Sequence, residues 1–164
     1  MIRLGKRSDI KQIMTIVDET IENMKLYQNI QWCSKYPSLQ TFENDILNEN
    51  LYVFDNKGIC IAFIVIDMNE PEPYNGLKWH SNLPHLNIHR FAVSDSYKNK
   101  GIASQLLKYA DTLAKNKQIK YIKIDTNSKN IPMINLLLKN KYIETDRVFF
   151  RNIIDEFICF DKIL

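Results

Sequence analysis

The stretch Lys98-Asn99-Lys100-Gly101-Ile102-Ala103 places one of only four glycines directly before an apolar helical repeat. Glycine inside a helix costs about 1 kcal/mol relative to alanine, so its position here needs a reason. Two reasons fit: a lysine-rich solvated turn, or a loop that lets a ligand reach the backbone. The second carries chemistry. The first N–H groups of a helix have no internal partner, and the helix dipole is positive at that end. Successive N–H groups from Lys98 to Ala103 form a concavity suited to phosphate oxygens. Gly101 has no side chain to block the approach, Ala103 has a small one, and Lys98 and Lys100 add positive charge. The spacing is neither GxxxxGK[ST] nor GxGxxG, which argues against an ordinary P-loop and a Rossmann dinucleotide site. A nucleotide-binding protein using the same concavity ranks below the readings that follow.

The elements around this stretch can be read from periodicity. "IRLGKR" reads as a short strand, followed by Ser8 as an N-cap with Asp9 in the first turn. Ile10, Ile13, Met14, Val17 and Ile21 recur at helical spacing, so a first helix runs to about Tyr27. Pro37 opens a second, with Leu39, Phe42, Ile46 and Leu47 inward. "LYVF" and "ICIAFIVIDM" flank "DNKG", a hairpin signal, and the second run is apolar on both faces, as in a central strand. A loop with three prolines covers Asn69 to Pro84. "HLNIHRFAV" is the next strand. The glycine then opens a helix whose face is Ile102, Leu106, Leu107, Ala110, Leu113 and Ala114. "IKYIKID" is a strand, "NIPMINLLLKN" a short helix capped by Asn130, and the tail gives two more strands. The order βααβββαβαββ predicts one α+β domain over residues 1–164, with a mixed, mostly antiparallel sheet of about seven strands flanked by four helices.

The run "RFAVSDSYKNKGIASQLL" resembles the acetyl-CoA signature of the GNAT superfamily of N-acetyltransferases, [QR]xxGx[GA], with Lys98 at its first position. "IKIDTNSKNIPMINLLLKNKYIE" is similar to that family's next segment. The resemblance is strongest over Ile88 to Tyr142. It implies an acetyl-CoA-dependent N-acetyltransferase that moves the acetyl group directly to a primary amine of a small molecule or peptide. The backbone of Phe91, Ala92 and Val93 would hold the pantetheine arm, and a backbone N–H there, with Val93 the candidate, would stabilise the oxyanion. Lys98, Asn99, Lys100, Gly101, Ile102, Ala103 and Ser104 would hold the pyrophosphate. Asn130 matches a cofactor-contacting asparagine, while a plain helix N-cap explains it equally.

The pattern also breaks. The tyrosine that serves many relatives as general acid is replaced by Leu137. The thiolate then leaves unprotonated or through water, or Tyr97 or Tyr142 protonates it, or the protein is an acyl-CoA-binding sensor or interaction module without efficient turnover. An ammonium substrate needs a base. The glutamate that some relatives carry is replaced by Asn87, which cannot serve. Strand alternation puts Asn87, His89 and Phe91 on one face, and an imidazole with pKa about 6.5 suits proton removal. His89 is thus the candidate base, beside the alternative of a structural histidine. His80 and His85 are weaker candidates, and Arg90 is expected on the opposite face, ion-paired. Tyr27, Trp32, Tyr74 and Trp79, with Tyr36, Glu70 and Glu72 nearby, are candidates for holding a cationic amine by cation–π and charge contacts. Ordinary packing is the competing explanation, favoured for Trp32 and Tyr36.

Composition narrows the partners. A net charge of +3 is too small to argue for nucleic acid. No apolar run reaches membrane-spanning length, and "MIRLGKRSDI" has no signal-peptide core, so a cytoplasmic protein is expected. Cys33, Cys60 and Cys159 lie far apart with no metal spacing, so buried free thiols are expected and no metal site. An exposed strand near the end of the chain is a candidate for pairing two copies into a homodimer.

Overall fold

A computed structural model of the chain describes residues 1–150 and 153–164. The strands form around the hairpin of β2 (Leu51–Asn56) and β3 (Ile59–Asp67). Its two-residue turn, Lys57-Gly58, has φ of 55° and 86°, as a type I′ turn requires. β1 (Ile2–Leu4) flanks β2, and β4 (Leu86–Val93) flanks β3. β5 (Tyr121–Asn127), β7 (Phe157–Ile163) and β6 (Ile143–Val148) complete one seven-stranded sheet in the order β1-β2-β3-β4-β5-β7-β6. Every neighbouring pair is antiparallel except β4 and β5, which run parallel. The apolar run Cys60–Ile66 is buried throughout, because β3 lies inside the sheet with both faces covered.

Four helices cover the faces. α1 (Ile10–Leu26) and α2 (Leu39–Leu47) pack on one, where Ile13, Ile16, Val17 and Phe42 meet Val53, Phe63 and Val65. α3 (Ile102–Asn116) and α4 (Ile131–Lys139) pack on the other, where Leu106, Leu107, Ala110 and Leu137 meet Ile64, Ile88 and Ile124. The two early helix starts differ from their local sequence signals. Ser8 makes no capping bond; a 3-10 turn at Arg7–Asp9 leads into α1, and the Asp9 carboxylate accepts from the Lys6 N–H and from Arg3. Ser38 rather than Pro37 begins α2, accepting from the Thr41 N–H in a capping box. Leu39 and Leu47 are exposed, since a nine-residue helix lying on a sheet buries only its central stripe, here Phe42. Cys60 and Cys159 are buried thiols, with burial pushing Cys60 up to about 12; Cys33 is exposed.

The feature that shapes the rest is a bulge in β4. Ile64 pairs with Phe91 and Ile66 with Ile88, so His89 and Arg90 together oppose Val65. The extra residue reverses the alternation. Phe91 therefore joins Ile88 in the core beneath α3, and the expected sharing of one face by Asn87, His89 and Phe91 fails. His89 and Arg90 both turn toward the α2 side, where Arg90 was expected opposite. Arg90 holds Asp45 of α2 with bonds of 2.9 and 2.6 Å and donates to the Tyr36 hydroxyl at 3.1 Å. This pair ties α2 to the bulge.

The variant Arg90→Leu should leave Asp45 as a buried charge and lose about 3 to 5 kcal/mol at neutral pH. Burial already holds the Asp45 carboxyl above its ordinary value of about 3.9 despite Arg90, and loss of the cation raises it further. The loss is therefore smallest near the unfolded value and grows as pH rises through the folded one. Urea unfolding of variant and wild type at acidic and neutral pH measures this, and an equal loss at both would contradict it.

Candidate active site

β4 pairs with β5 over Leu86, Asn87 and Ile88 only. Beyond the bulge the two strands part. The Ser94 N–H bonds to the Ile61 carbonyl on β3; alternation turns the polar backbone groups of Ala92 the same way and those of Phe91 and Val93 into the gap. A cavity of about 610 Å³ occupies this opening. Phe91, Ala92 and Val93 form one wall, and α1 with its C-cap adds Thr20, Asn23, Met24 and Tyr27. Asn130, Met133, Leu136 and Lys139 come from α4 and its cap.

The far end of the cavity is the turn into α3, with Lys98, Asn99, Gly101, Ile102, Ala103 and Ser104 in its lining. Asn99 and Gly101 take the left-handed conformation, with φ of 61° and 76°. Gly101 is thus demanded first by the backbone, since a side chain costs roughly 1–2 kcal/mol in that region. A Cβ there would meet nothing within 4 Å, so the space before it is open. The first intrahelical bond runs from Gln105 N–H to Gly101 C=O, which leaves the N–H groups of Ile102, Ala103 and Ser104 without a partner in the helix. The two lysines differ. Lys98 pairs with Asp95 at 2.5 Å. Lys100 is absent from the lining; its ammonium donates to the Ser96 carbonyl and lies 5.0 Å from the Tyr97 ring centre.

A second cavity, about 360 Å³, adjoins the bulge. Ile88, His89 and Arg90 line it, with Gln31, Trp32 and Tyr36 from the α1–α2 connection, Pro71 and Pro73 from the long loop, Asp125 of β5, and Phe150. His89 Nε2 lies 2.8 Å from Asp67 Oδ1. Burial raises the Asp67 carboxyl, but the bonds from His89 and Asn69 outweigh it and hold the group below the usual carboxylate range. Consecutive residues of one strand, His89-Arg90 and Phe91-Ala92-Val93, thus line the two cavities.

The remaining candidates are dispersed. Trp32 lines the smaller cavity while also stacking on Phe63. Tyr27 lines the larger one, away from the other aromatics. Tyr74 and Trp79 line neither. Tyr74 is buried and donates to Asp125 at 2.6 Å, and burial holds its hydroxyl far above 10. Trp79 packs on Tyr74, with the Lys123 ammonium 4.4 Å from its ring centre. Asn130 accepts from the Met133 N–H as a helix cap and also lines the larger cavity. Leu137 is fully buried. Tyr97 lines the larger cavity; Tyr142 lines neither and sits in the core. His80 bonds to Asp161, and His85 stands 3.7 Å from Glu70; neither reaches the cavities. Sequence reading missed Thr20, Asn23 and Met24 of the α1 wall, and Asp125; Tyr27, expected at the amine, lines the larger cavity instead. His89-Arg90 is a consecutive polar pair in an apolar strand, a pattern that becomes a bulge only through the register of β3.

Relatives share this architecture. A family model described as the acetyltransferase (GNAT) family matches residues 17–142. An acetyltransferase of the GNAT family from Streptococcus agalactiae 2603 is 26% identical with a TM-score of 0.87, over 100% of this chain and 95% of its own. A protein of Staphylococcus aureus Mu50, described as an acetyltransferase, is 32% identical with a TM-score of 0.78, over 99% and 98%. A chain of the NatC complex bound to Gag peptide and CoA, 19% identical, shares the fold at a TM-score of 0.72, over 100% and 98%. No curated protein matches. No helix among the described residues is long and apolar enough to cross a membrane. With a family model over residues 17–142 and the same seven-stranded, four-helix fold in its relatives, the chain belongs to the GNAT family of acetyltransferases.

Proposed function

We propose that the chain transfers an acetyl group from acetyl-CoA to a primary amine of a small molecule or peptide. One observation carries this reading: a single strand lines two adjoining cavities with consecutive residues, and the larger leads to a helix N-terminus opened by Gly101. The larger cavity fits acetyl-CoA. Its strand wall offers the gap-facing backbone of Phe91 and Val93 to the amides of the pantetheine arm, and the unpartnered N–H groups of Ile102, Ala103 and Ser104 suit the pyrophosphate. Lys98, Asn99 and Gly101 shape that end, Asn130 stands along the arm, and Lys100 contributes charge from outside the lining. When bound, acetyl-CoA supplies the activated acyl carbon.

The chain's own groups do the rest. The smaller cavity takes the acceptor between Trp32, Tyr36 and Phe150. His89 removes a proton from the substrate ammonium, so that the nitrogen lone pair can form the new C–N bond as the C–S bond breaks. The Val93 N–H stabilises negative charge on the carbonyl oxygen. Leu137 offers no proton to the departing thiolate, which leaves as the anion or takes a proton from water; Tyr27 and Tyr97 are the phenols in the cavity lining. No covalent enzyme intermediate is needed. Catalysis in the cytoplasm, and pairing of two copies along the free edge of β6, belong to the same reading.

Leu137 also favours a second reading, an acyl-CoA sensor or interaction module without useful turnover. Thiol release from acetyl-CoA, measured with phenethylamine, spermidine and an alanyl peptide, separates the two: binding with no release over all three amines supports the sensor. The variant Gly101→Asp should lose acetyl-CoA binding through repulsion of phosphate while the protein stays folded; normal affinity would sink the assignment of that turn. The variant His89→Ala should lower kcat about 100-fold with acetyl-CoA affinity unchanged. Full turnover would remove His89 as the base.

A further inference from the structure

Asp67 ends β3 beside the bulge, and its carboxylate is held by several donors. Oδ1 accepts from the Asn69 N–H at 2.9 Å as well as standing 2.8 Å from His89 Nε2. Oδ2 accepts from the side-chain amides of Asn69 at 3.3 Å and Asn50 at 3.4 Å. A group with so many donors aimed at it stays ionised, and an ionised carboxylate can only accept. The hydrogen between Asp67 and His89 therefore belongs to the ring. A neutral His89 must carry its proton on Nε2, which leaves the basic lone pair on Nδ1. Asn87 is the register partner of Asp67, so ordinary alternation puts His89 on the same face as Asp67, and the bulge then adds Arg90 to that face. Asp67 is only one-tenth exposed and His89 about one-sixth, so their hydrogen bond is shielded from competing water.

We propose that Asp67 is a positioning residue for the transfer reaction, fixing the ring orientation and the Nε2–H tautomer of His89 so that Nδ1 receives the proton of the acceptor amine. This rests on the reading of His89 as base. Other charged and titratable groups surround the ring. Asp45 reaches it from α2, paired with Arg90 of β4 itself; Asp125 of β5 and Tyr36 of the α1–α2 connection line the same cavity. Of these, Asp67 is the one that bonds to the imidazole. Asn87, next along β4, faces Asp67 across the sheet but is fully buried, with its amide donating to the Asn69 carbonyl. Asp67 and His89 thus form a carboxylate–imidazole pair in which the carboxylate sets the tautomer, as in other base-and-orienter pairs.

The test starts on the unmodified protein. Nitrogen-15 NMR of the three histidine rings, assigned with His→Ala variants, should show neutral His89 protonated on Nε2 and unprotonated on Nδ1. A ring protonated on Nδ1 overturns the proposal. Turnover with phenethylamine, spermidine and the alanyl peptide adds a kinetic reading. Asp67→Asn should lower kcat at least 10-fold with acetyl-CoA affinity unchanged, and the double variant with His89→Ala should be no slower than His89→Ala alone. Additive losses would mean that Asp67 acts elsewhere. Full turnover in His89→Ala is a different failure: it removes the base itself and is read in a separate assay.

Discussion

The structure depends on the parting of two parallel strands. β4 and β5 share hydrogen bonds over three residues and then diverge, which is costly in a sheet interior, because backbone polar groups there require partners. The bulge at His89-Arg90 makes the divergence possible by adding twist and an unpaired residue. The groups of Phe91 and Val93 that β5 would have satisfied now face an open cavity. A bound extended molecule with amide groups would restore those bonds. The sheet gives up part of its own ladder, and in the proposed function that loss serves as the recognition surface.

The surrounding elements stabilise this arrangement. α1 closes one side of the gap and α3 and α4 the other, each anchored in its own apolar core. Asp45 and Arg90 lock α2 to the bulge, and Asp95 ties the turn before α3 to Asn23 of α1 through hydrogen bonds of 2.9 Å. The left-handed residues Asn99 and Gly101 then direct the first N–H groups of α3 along the cavity. In the proposed reaction, holding the donor and activating the acceptor fall to neighbouring residues of one strand, so a small shift in register would separate them.

Much of this was legible in the sequence. The hairpin at Lys57-Gly58, the buried run of β3, the amphipathic pattern of α3 and the Asn130 cap depend on local signals, and each lies where its periodicity or turn chemistry places it. What could not be read were features that depend on distant partners. Ser8 looks like a cap, but Arg3 and the Lys6 N–H claim Asp9 and change the entry to α1. Period-two alternation fails across the bulge, because whether a polar pair marks a bulge depends on the partner strand. Tyr74 and Trp79 have the residue types of an amine-binding site, yet Asp125 and Lys123 draw them into packing. The smaller cavity combines α1–α2, β4, β5 and the segment after β6, a convergence that no single stretch announces.

The measurement closest to the central claim is thermal unfolding in the presence of acetyl-CoA, CoA or ATP at matched concentrations. A ligand that binds only the folded chain stabilises it by about 2.7 kcal/mol at 100 times its Kd. The account predicts clear stabilisation by acetyl-CoA and CoA and none by ATP, since the strand wall of Phe91–Val93 recognises the pantetheine arm and the Gly101 turn supplies only the phosphate contacts. Equal stabilisation by ATP would reduce the site to a phosphate-binding turn. No stabilisation by any of the three would contradict the account, leaving the glycine as a turn and the parted strands without a ligand.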